Sequence, residues 1–250
     1  MTIAEAVALV AAGTAAGMVS TVASLASVVS YPVLLAIGLP PLSANVTNTV
    51  SLVFTAPGAA LGSRPELAGE GRRVLRLGLV TAAGGAAGAA LLLTTGARAF
   101  EAAAPVLIGL ASVVLLVQPQ RRVLAGHQAG ERSPLLLAGL FAVAVYVGYF
   151  GAAGGILLLA ILTAMLTQSL ARTNAVKNVI NGFANGVAAL GFAVFGPVDW
   201  AVVAPLAAGF LAGGWLGPKV VRRLPGQALR YLVGAAGLAV AAWLGYQAYR

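Results

Sequence analysis

Four asparagines recur at helical spacing in one apolar segment in the second half of the chain. They are Asn174, Asn178, Asn181 and Asn185. Separations of four, three and four residues place their side chains on one face of a helix. A polar face is costly in an apolar segment unless its groups are satisfied. The face either joins helices through amide hydrogen bonds or lines the path of a solute, and carboxamide NH₂ groups suit an oxyanion.

Lys177 lies beside this asparagine face, one turn before Asn181. It is the only basic residue well inside an apolar segment, and no Asp or Glu occupies a comparable position. A positive charge buried in a membrane is expensive, so it calls for a negative charge nearby. The side chain could also extend to the cytoplasmic surface, which is about seven residues away along the chain. We expect Lys177 to attract an anionic solute.

A second polar cluster lies in the first half of the chain, within residues 43–49. It is rich in uncharged donors, among them Asn45, Thr47 and Asn48. Both clusters begin where a predicted short helix pair is followed by a longer helix. The N–H groups and the positive dipole of a helix N-terminus would add to an anion site there. We therefore predict that substrate binds to Asn45, Thr47, Asn48, Asn174, Lys177, Asn178 and Asn181.

The residue inventory argues against catalysis. The chain has no Cys and one His, His127 in a predicted loop, and its apolar segments contain no carboxylate pair. We therefore predict no metal site, no cofactor, no general-base dyad and no enzymatic activity. The lack of buried carboxylates also argues against a cation exchanger or a proton pump.

The composition predicts an integral membrane protein. Of the 250 residues, 60% are hydrophobic and 8% are charged, whereas soluble domains carry about 25% charged residues. The net charge of +9 comes from Arg residues in short loops, where they set topology and contact anionic lipids. No nucleic-acid partner is therefore expected. The N-terminus has no basic residue before its first apolar run, which is unlike a cleaved signal peptide.

The apolar segments predict an all-α protein. Two of them, 3–37 and 133–168, exceed the roughly 20 residues of one span. We expect each to form a broken-helix or re-entrant hairpin, interrupted at Gly13 and Gly17 in the first and within residues 148–155 in the second. The remaining segments are 43–62, 74–96, 102–118, 173–196, 200–219 and 228–248. Each hairpin would thus be followed by three spanning helices.

An internal repeat relates the two halves. A shift of 129 residues superposes Asn45 on Asn174, residues 59–62 on 188–191 and residues 83–88 on 212–217. We predict a first repeat at 1–120, a cytoplasmic connecting loop at 121–132 and a second repeat at 133–250. The small residues Gly84, Gly88, Gly213 and Gly217 form faces typical of close helix packing.

The distribution of Lys and Arg predicts that the repeats are inverted. If each long segment is a helix pair, twelve of the fourteen basic loop residues fall on one side, and only Arg98 and Arg250 fall on the other. Single crossings give no bias, which inserted proteins rarely show. Both termini then lie outside the cytoplasm. Inverted repeats with broken helices are common in secondary transporters, which bind substrate near the membrane midplane.

Several motifs resemble the TauE/SafE sulfite exporter family. The sequences IGLPPLSANVTNT at 37–49, YFGAAGGI at 149–156 and RTNAVKN at 172–178 carry the similarity, together with Asp199-Trp200 and the glycines of 209–217. One departure lies in the first hairpin, where Ser20, Thr21, Ser24 and Ser27 stand in a stretch that is usually glycine-rich in the family. Their hydroxyls could donate to a ligand.

The resemblance implies transport, and we expect export, of a small sulfur-containing anion across a bacterial inner membrane. Candidates are sulfite, sulfoacetate and other organosulfonates, bound at the midplane between the repeats. Export of an anion from a cell that is negative inside is downhill by ~2.3 kcal/mol per charge per 100 mV. The alternatives are a transporter of a carboxylate or halide and a non-transporting scaffold subunit. The expected partners are the anion and membrane lipids, and a homo-oligomer stays open.

Overall fold

The computed structural model describes residues 2–23, 26–95, 98–103, 105–106, 109, 113, 133–151, 154–166, 168–221, 238–239, 242 and 246. Within these ranges the chain is helical and contains no strand, which confirms the predicted all-α fold. The helices are α1 (Ile3–Ala23), α2 (Ala26–Ala36), α3 (Pro41–Leu52), α4 (Thr55–Gly62), α5 (Arg64–Leu67), α6 (Gly71–Thr94), α7 (Pro134–Tyr149), α8 (Gly154–Met165), α9 (Leu170–Phe195) and α10 (Trp200–Val221). Residues 98–103 are also helical. The predicted connecting loop at 121–132 and most of the last segment of each half lie outside the described residues.

Four of the described helices are long and apolar enough to cross a membrane. The spans are Ile3–Thr21, Gly71–Thr94, Ala171–Phe195 and Trp200–Lys219. Each has about the 20 residues that a bilayer requires. The helices α7 and α8 are apolar but shorter.

The first long apolar segment is divided, but not where the sequence predicted. α1 continues through Gly13 and Gly17, and the second helix of the pair starts only at Ala26. The two glycines lie against the backbone of α10: a Cβ on Gly13 would stand 2.5 Å from the carbonyl oxygen of Leu206. They serve close helix packing rather than a break, so the predicted position of the interruption was wrong.

The second long segment is interrupted in the predicted region. α7 ends at Tyr149, and Gly151 has φ +76°, a conformation that L side chains rarely adopt. α8 then begins at Gly154. The glycine run of 148–155 therefore does break the helix.

A kink divides the polar helix of the first half. Pro57 has no N–H group to donate to the carbonyl of Val53, four residues earlier. Hydrogen bonds around the kink shorten to three-residue steps, from Phe54 N to Ser51 O at 3.3 Å and from Ala56 N to Val53 O at 3.2 Å. The residue 129 positions after Pro57 is Gly186, and α9 passes through it without interruption.

The helix bounds repeat at the spacing found in the sequence. Pro41 and Leu170 start α3 and α9, and Gly71 and Trp200 start α6 and α10, with 129 residues between the members of each pair. The halves interlock, because α1 packs on α10 and α7 packs on α6. α10 also contacts α3 and α4, while α6 contacts α9. The main helix contacts therefore join one half to the other.

The helices α3–α4 and α9 run antiparallel. The Ser43 hydroxyl, near the start of α3, donates to the carbonyl of Pro197, beyond the end of α9, at 2.7 Å. At the opposite end, Arg172 near the start of α9 donates to the carbonyl of Ala68 at 3.4 Å. These helices occupy equivalent places in the sequence repeat, so repeat-related elements point in opposite directions.

Glycines allow the halves to approach closely, as the sequence predicted. Gly214 of α10 lies against α4, where a Cβ would stand 2.6 Å from the carbonyl oxygen of Thr55. The repeat-related Gly85 of α6 lies against Ala184 of α9 in the same way. The four glycines singled out from the sequence also face neighbouring helices: Gly84 and Gly88 face α7, and Gly213 and Gly217 face α1.

Candidate functional site

The asparagine face begins by satisfying the end of a neighbouring helix. Asn174 donates through Nδ2 to the carbonyl of Thr21 at 3.0 Å, and Asn178 donates to the same oxygen at 3.5 Å. Thr21 belongs to the last turn of α1, where carbonyls have no partner within the helix. In an apolar environment such a group must be satisfied by another part of the protein. Asn174 thus performs the helix-joining role that the sequence left open.

The first half contains the counterpart of this contact. Asn45 donates through Nδ2 to the carbonyl of Tyr149 at 3.3 Å. Tyr149 ends α7, just as Thr21 lies in the last turn of α1. Each half therefore uses the first asparagine of its polar helix to cap the first helix of the other half.

Thr47 and Asn48 are buried and bound to protein groups. Asn48 donates to the Ser27 hydroxyl at 3.1 Å and accepts from the Ser30 hydroxyl at 2.6 Å. The Thr47 hydroxyl accepts from the backbone N–H of Asp199 at 3.0 Å. In this conformation the first-half cluster holds α2, α3 and the start of α10 together.

A small cavity lies between the two halves, beside the kink. Its lining includes Ser20 of α1, Leu52 and Thr55 at the kink, and Asn178, Asn181 and Asn185 of α9. Its volume is about 10 Å³, which is just enough for one water molecule. At 1.5 Å per residue, Leu52 lies about 16 Å from the start of α3 and Asn181 lies about 16 Å from the start of α9. Both depths are near half of the ~30 Å hydrocarbon thickness.

Oxygen atoms without hydrogen-bond partners face this cavity region. Among the described residues, the buried atoms Thr55 Oγ1, Asn181 Oδ1 and Asn185 Oδ1 have none. Asn185 Nδ2 donates to the carbonyl of Asn181 at 2.9 Å. That bond fixes the orientation of the Asn185 amide, because the reversed amide would bring two oxygens together. Unsatisfied groups of this kind cost about 1–3 kcal/mol each in a protein interior, which is unusual outside a functional site.

Lys177 is fully buried, with 1% of the residue exposed. Its side chain therefore does not reach the surface, as the snorkelling alternative requires. It lies one turn from Asn181 on the same helix but is not part of the cavity lining. Its charge thus lies near the cavity region without forming its wall.

The structure separates the residues that the sequence grouped together. Because α3 and α9 are antiparallel, Asn45 and Asn174 lie near opposite ends of α9, about 30 Å apart along its axis at 1.5 Å per residue. Of the seven predicted substrate-binding residues, Asn178 and Asn181 line the cavity. Sequence reasoning did not select Thr55, although Pro57 two residues later was a signal for a kink.

A charged cluster joins the halves at the Arg172 end of α9. Glu70, which is 6% exposed, pairs with Arg73 and accepts from Gln168 Nε2 at 2.8 Å. Arg172 lies 3.6 Å from the same carboxylate. Glu70 and Arg73 belong to the first half, while Gln168 and Arg172 belong to the second. The cluster therefore closes the interface between halves at that end.

Comparison with known proteins assigns the family. The model of the family described as Sulfite exporter TauE/SafE matches residues 9–244. The chain belongs to the TauE/SafE sulfite exporter family. No curated protein and no solved structure shows a significant match to it. The resemblance drawn from the motifs is confirmed, and the match covers both halves.

Family membership settles the class of function. TauE/SafE proteins are membrane transporters and not enzymes. The four apolar helices long enough to span, counted within the described ranges, agree with a protein embedded in a membrane. The family implies transport of sulfur-containing anions such as sulfite. The non-transporting scaffold alternative is therefore set aside.

Proposed function

We propose that this TauE/SafE protein exports a small sulfur-containing anion, such as sulfite, sulfoacetate or another organosulfonate, through the cavity beside the kink. The observation that carries the proposal is the position of that cavity. It lies between the halves, near half of the membrane depth, and its lining includes amide and hydroxyl groups. Such a position is typical of substrate sites in transporters with broken helices.

The donors for the anion come from both halves. Asn178 holds the Thr21 carbonyl only by a 3.5 Å contact, so its NH₂ group can turn to a ligand at little cost. The Asn181 amide and the Thr55 hydroxyl also line the cavity and can donate. Lys177, one turn before Asn181, supplies positive charge in an environment where water screens little.

The remaining predicted residues lie along the path on either side of the cavity. Asn45, Thr47 and Asn48 are near the start of α3, and Asn174 is near the start of α9. We propose that these groups bind the anion in passing when their present contacts open. Because they also join helices, their exchange between protein and solute would couple anion passage to movement of the halves.

The conformation described here fits an occluded state. A volume of about 10 Å³ accommodates one water and not an oxyanion of several heavy atoms. Movement of the halves relative to each other must therefore enlarge the cavity. Inverted repeats, for which the antiparallel α3–α4 and α9 are the support, would allow it to open alternately to each side.

The topology of this proposal follows the distribution of basic residues. We propose that repeats 1–120 and 133–250 are inverted in a bacterial inner membrane, with both termini outside. The charged Glu70–Arg172 end of the interface would then face the cytoplasm. Labelling of single cysteines introduced at Thr2 and at Arg72 with a membrane-impermeant reagent tests this: only Thr2 should react from outside intact cells.

Thermal stability of the purified protein tests substrate and site together. The panel is sulfite, sulfate, thiosulfate, sulfoacetate, taurine, acetate and chloride. A ligand at 100 times its dissociation constant adds ~2.7 kcal/mol of stability. We expect a sulfur oxyanion to raise the melting temperature of the wild type, and Lys177→Gln to weaken this effect.

Lys219→Gln is the matched control. Lys219 lies in the last turn of α10 with its ammonium over the Trp215 ring, so this substitution removes the same charge away from the cavity. A sulfite shift that survives in Lys177→Gln as fully as in Lys219→Gln would show that Lys177 does not bind the anion. If acetate or chloride, but no sulfur anion, stabilises the wild type, the proposed substrate class is wrong.

A further inference from the structure

The same cavity presents acceptor oxygens that an anion cannot satisfy. Thr55 Oγ1 and Asn185 Oδ1 belong to residues that are 7% and 2% exposed, and neither atom has a hydrogen-bond partner within the described ranges. Asn181 Oδ1 is a third such atom. The three residues line one cavity. Bringing an anion close to these oxygens is electrostatically unfavourable, while a cation or a donor stabilises them.

The orientation of the Asn185 amide strengthens this reading. Its NH₂ group is committed to the carbonyl of Asn181 at 2.9 Å. The amide oxygen is therefore presented by the fold and not by an arbitrary choice between the two ends of the amide. A hydroxyl can rotate to donate or accept, but this amide oxygen can only accept.

The kink adds backbone oxygen to the same place. The Ala56 N–H bonds the carbonyl of Val53 at 3.2 Å, so the carbonyl of Leu52 loses the donor that a regular helix would supply four residues later. Leu52 itself lines the cavity. Carbonyls released where a membrane helix is interrupted are typical ligands of Na⁺ in secondary transporters.

We infer that Na⁺ binds at this cavity, held by the neutral oxygens of Thr55, Asn181 and Asn185, and that its binding is coupled to that of the transported anion. Hard cations prefer oxygen ligands, and a monovalent ion needs no carboxylate when the co-bound anion balances its charge. The lack of buried carboxylates argued against cation transport, but not against a cation that enters with an anion. Lys177 is outside the lining, so its charge does not occupy this position.

Coupling would change what drives transport. A complex of one Na⁺ with one monovalent anion is neutral, so the membrane potential does not act on it. Flux would then follow the combined gradients of Na⁺ and anion, and the potential alone would not favour export. This inference rests on the proposed anion transport for its second half, but Na⁺ binding by itself does not.

The test measures the melting temperature of the full-length protein in detergent in NaCl, KCl or choline chloride at equal concentration. We expect Na⁺ to stabilise the wild type more than K⁺ or choline does. Thr55→Val and Asn185→Ala should each require at least about tenfold more Na⁺ for the same shift, by analogy with other metal-site losses. Thr49→Val is the matched control, because the Thr49 hydroxyl only bonds the carbonyl of Asn45 on its own helix.

A substitution that keeps the oxygen ligand protects the test against misfolding. Asn185→Asp retains an oxygen and adds charge, so it should lower the Na⁺ concentration needed. Equal melting temperatures in all three salts, or a Na⁺ shift unchanged in Thr55→Val and Asn185→Ala, would overturn the inference and leave water as the partner of these oxygens.

Addition of sulfite to the same samples separates the two proposals. Reciprocal coupling requires that sulfite lower the Na⁺ concentration for half-maximal stabilisation, and that Na⁺ do the same for sulfite. Stabilisation by sulfite that is equal in choline and Na⁺ keeps the anion site but overturns the coupling. Stabilisation by Na⁺ with no response to any sulfur anion keeps the cation site and removes the proposed substrate.

Discussion

Replacement of Gly214 by alanine tests whether the close approach of the halves is required. A Cβ at this position would stand 2.6 Å from the Thr55 carbonyl oxygen, 3.2 Å from Thr55 Cα and 3.3 Å from Ala59 N, whereas ordinary contacts begin at 3.4 Å. The difference between 3.4 and 2.6 Å means that α10 and α4 must separate by about 0.8 Å. All three neighbouring atoms are backbone, so no side-chain rotation can relieve the contact. Overpacking of this kind costs about 1–3 kcal/mol.

Gly186→Ala is the matched control for this change. A Cβ on Gly186, which lies inside α9, meets nothing within 4 Å. Alanine gains about 0.5–1 kcal/mol over glycine in a helix interior, and this gain is common to both variants. The two should therefore differ by about 1–3 kcal/mol, or about 2–4 °C in melting temperature per kcal/mol for a chain of this length.

Thermal unfolding of the purified variants in one detergent measures the difference. Gly186→Ala should melt at or above the wild-type temperature, and Gly214→Ala should melt below it. Equal melting temperatures for the two variants would refute the reasoning, because they would mean that α4 and α10 are not in backbone contact at Gly214.

Three further changes probe the interface and the kink. Glu70→Gln removes the carboxylate that Arg172 approaches, and should destabilise the protein by about 2 kcal/mol, measured by thermal unfolding; no loss at low salt would contradict the cluster's role. Ser30→Ala removes the donor to Asn48 Oδ1 and should cost about 1–3 kcal/mol without changing sulfite affinity; an affinity change in a thermal-shift titration would place this pair in the binding site. Pro57→Ala restores a helical donor and should raise thermal stability while slowing sulfite flux in proteoliposomes, and unchanged flux would show that the kink is not needed for transport.

Helix faces followed from sequence spacing because that spacing is a local property. The separations along 174–185 place the amides on one side of α9 wherever the helix packs. The glycine faces of α6 and α10 were predicted for the same reason, since only a missing side chain permits backbones to approach. Composition likewise determined the membrane setting, because too few charges exist to cover a water-facing surface.

The kink and the first helix break were harder to place from the sequence. Gly13 and Gly17 suggested a break, but glycine also permits close packing, and only the presence of α10 distinguishes the two uses. Pro57 did predict a local loss of hydrogen bonding. Its consequence, a released carbonyl beside the cavity, depends on what packs against it.

The sequence by itself thus determined the membrane class, the 129-residue repeat and the polar face of α9. Tertiary structure decided which polar groups are used in holding the protein together and which remain available. Asn45 and Asn174 have the same sequence context, yet antiparallel packing puts them near opposite ends of α9, where each caps a helix of the other half. Thr55 and Asn185 share a cavity although 130 residues separate them. The physical reason is that spacing along a chain fixes the direction of a side chain, whereas its hydrogen-bond partner comes from the opposite half.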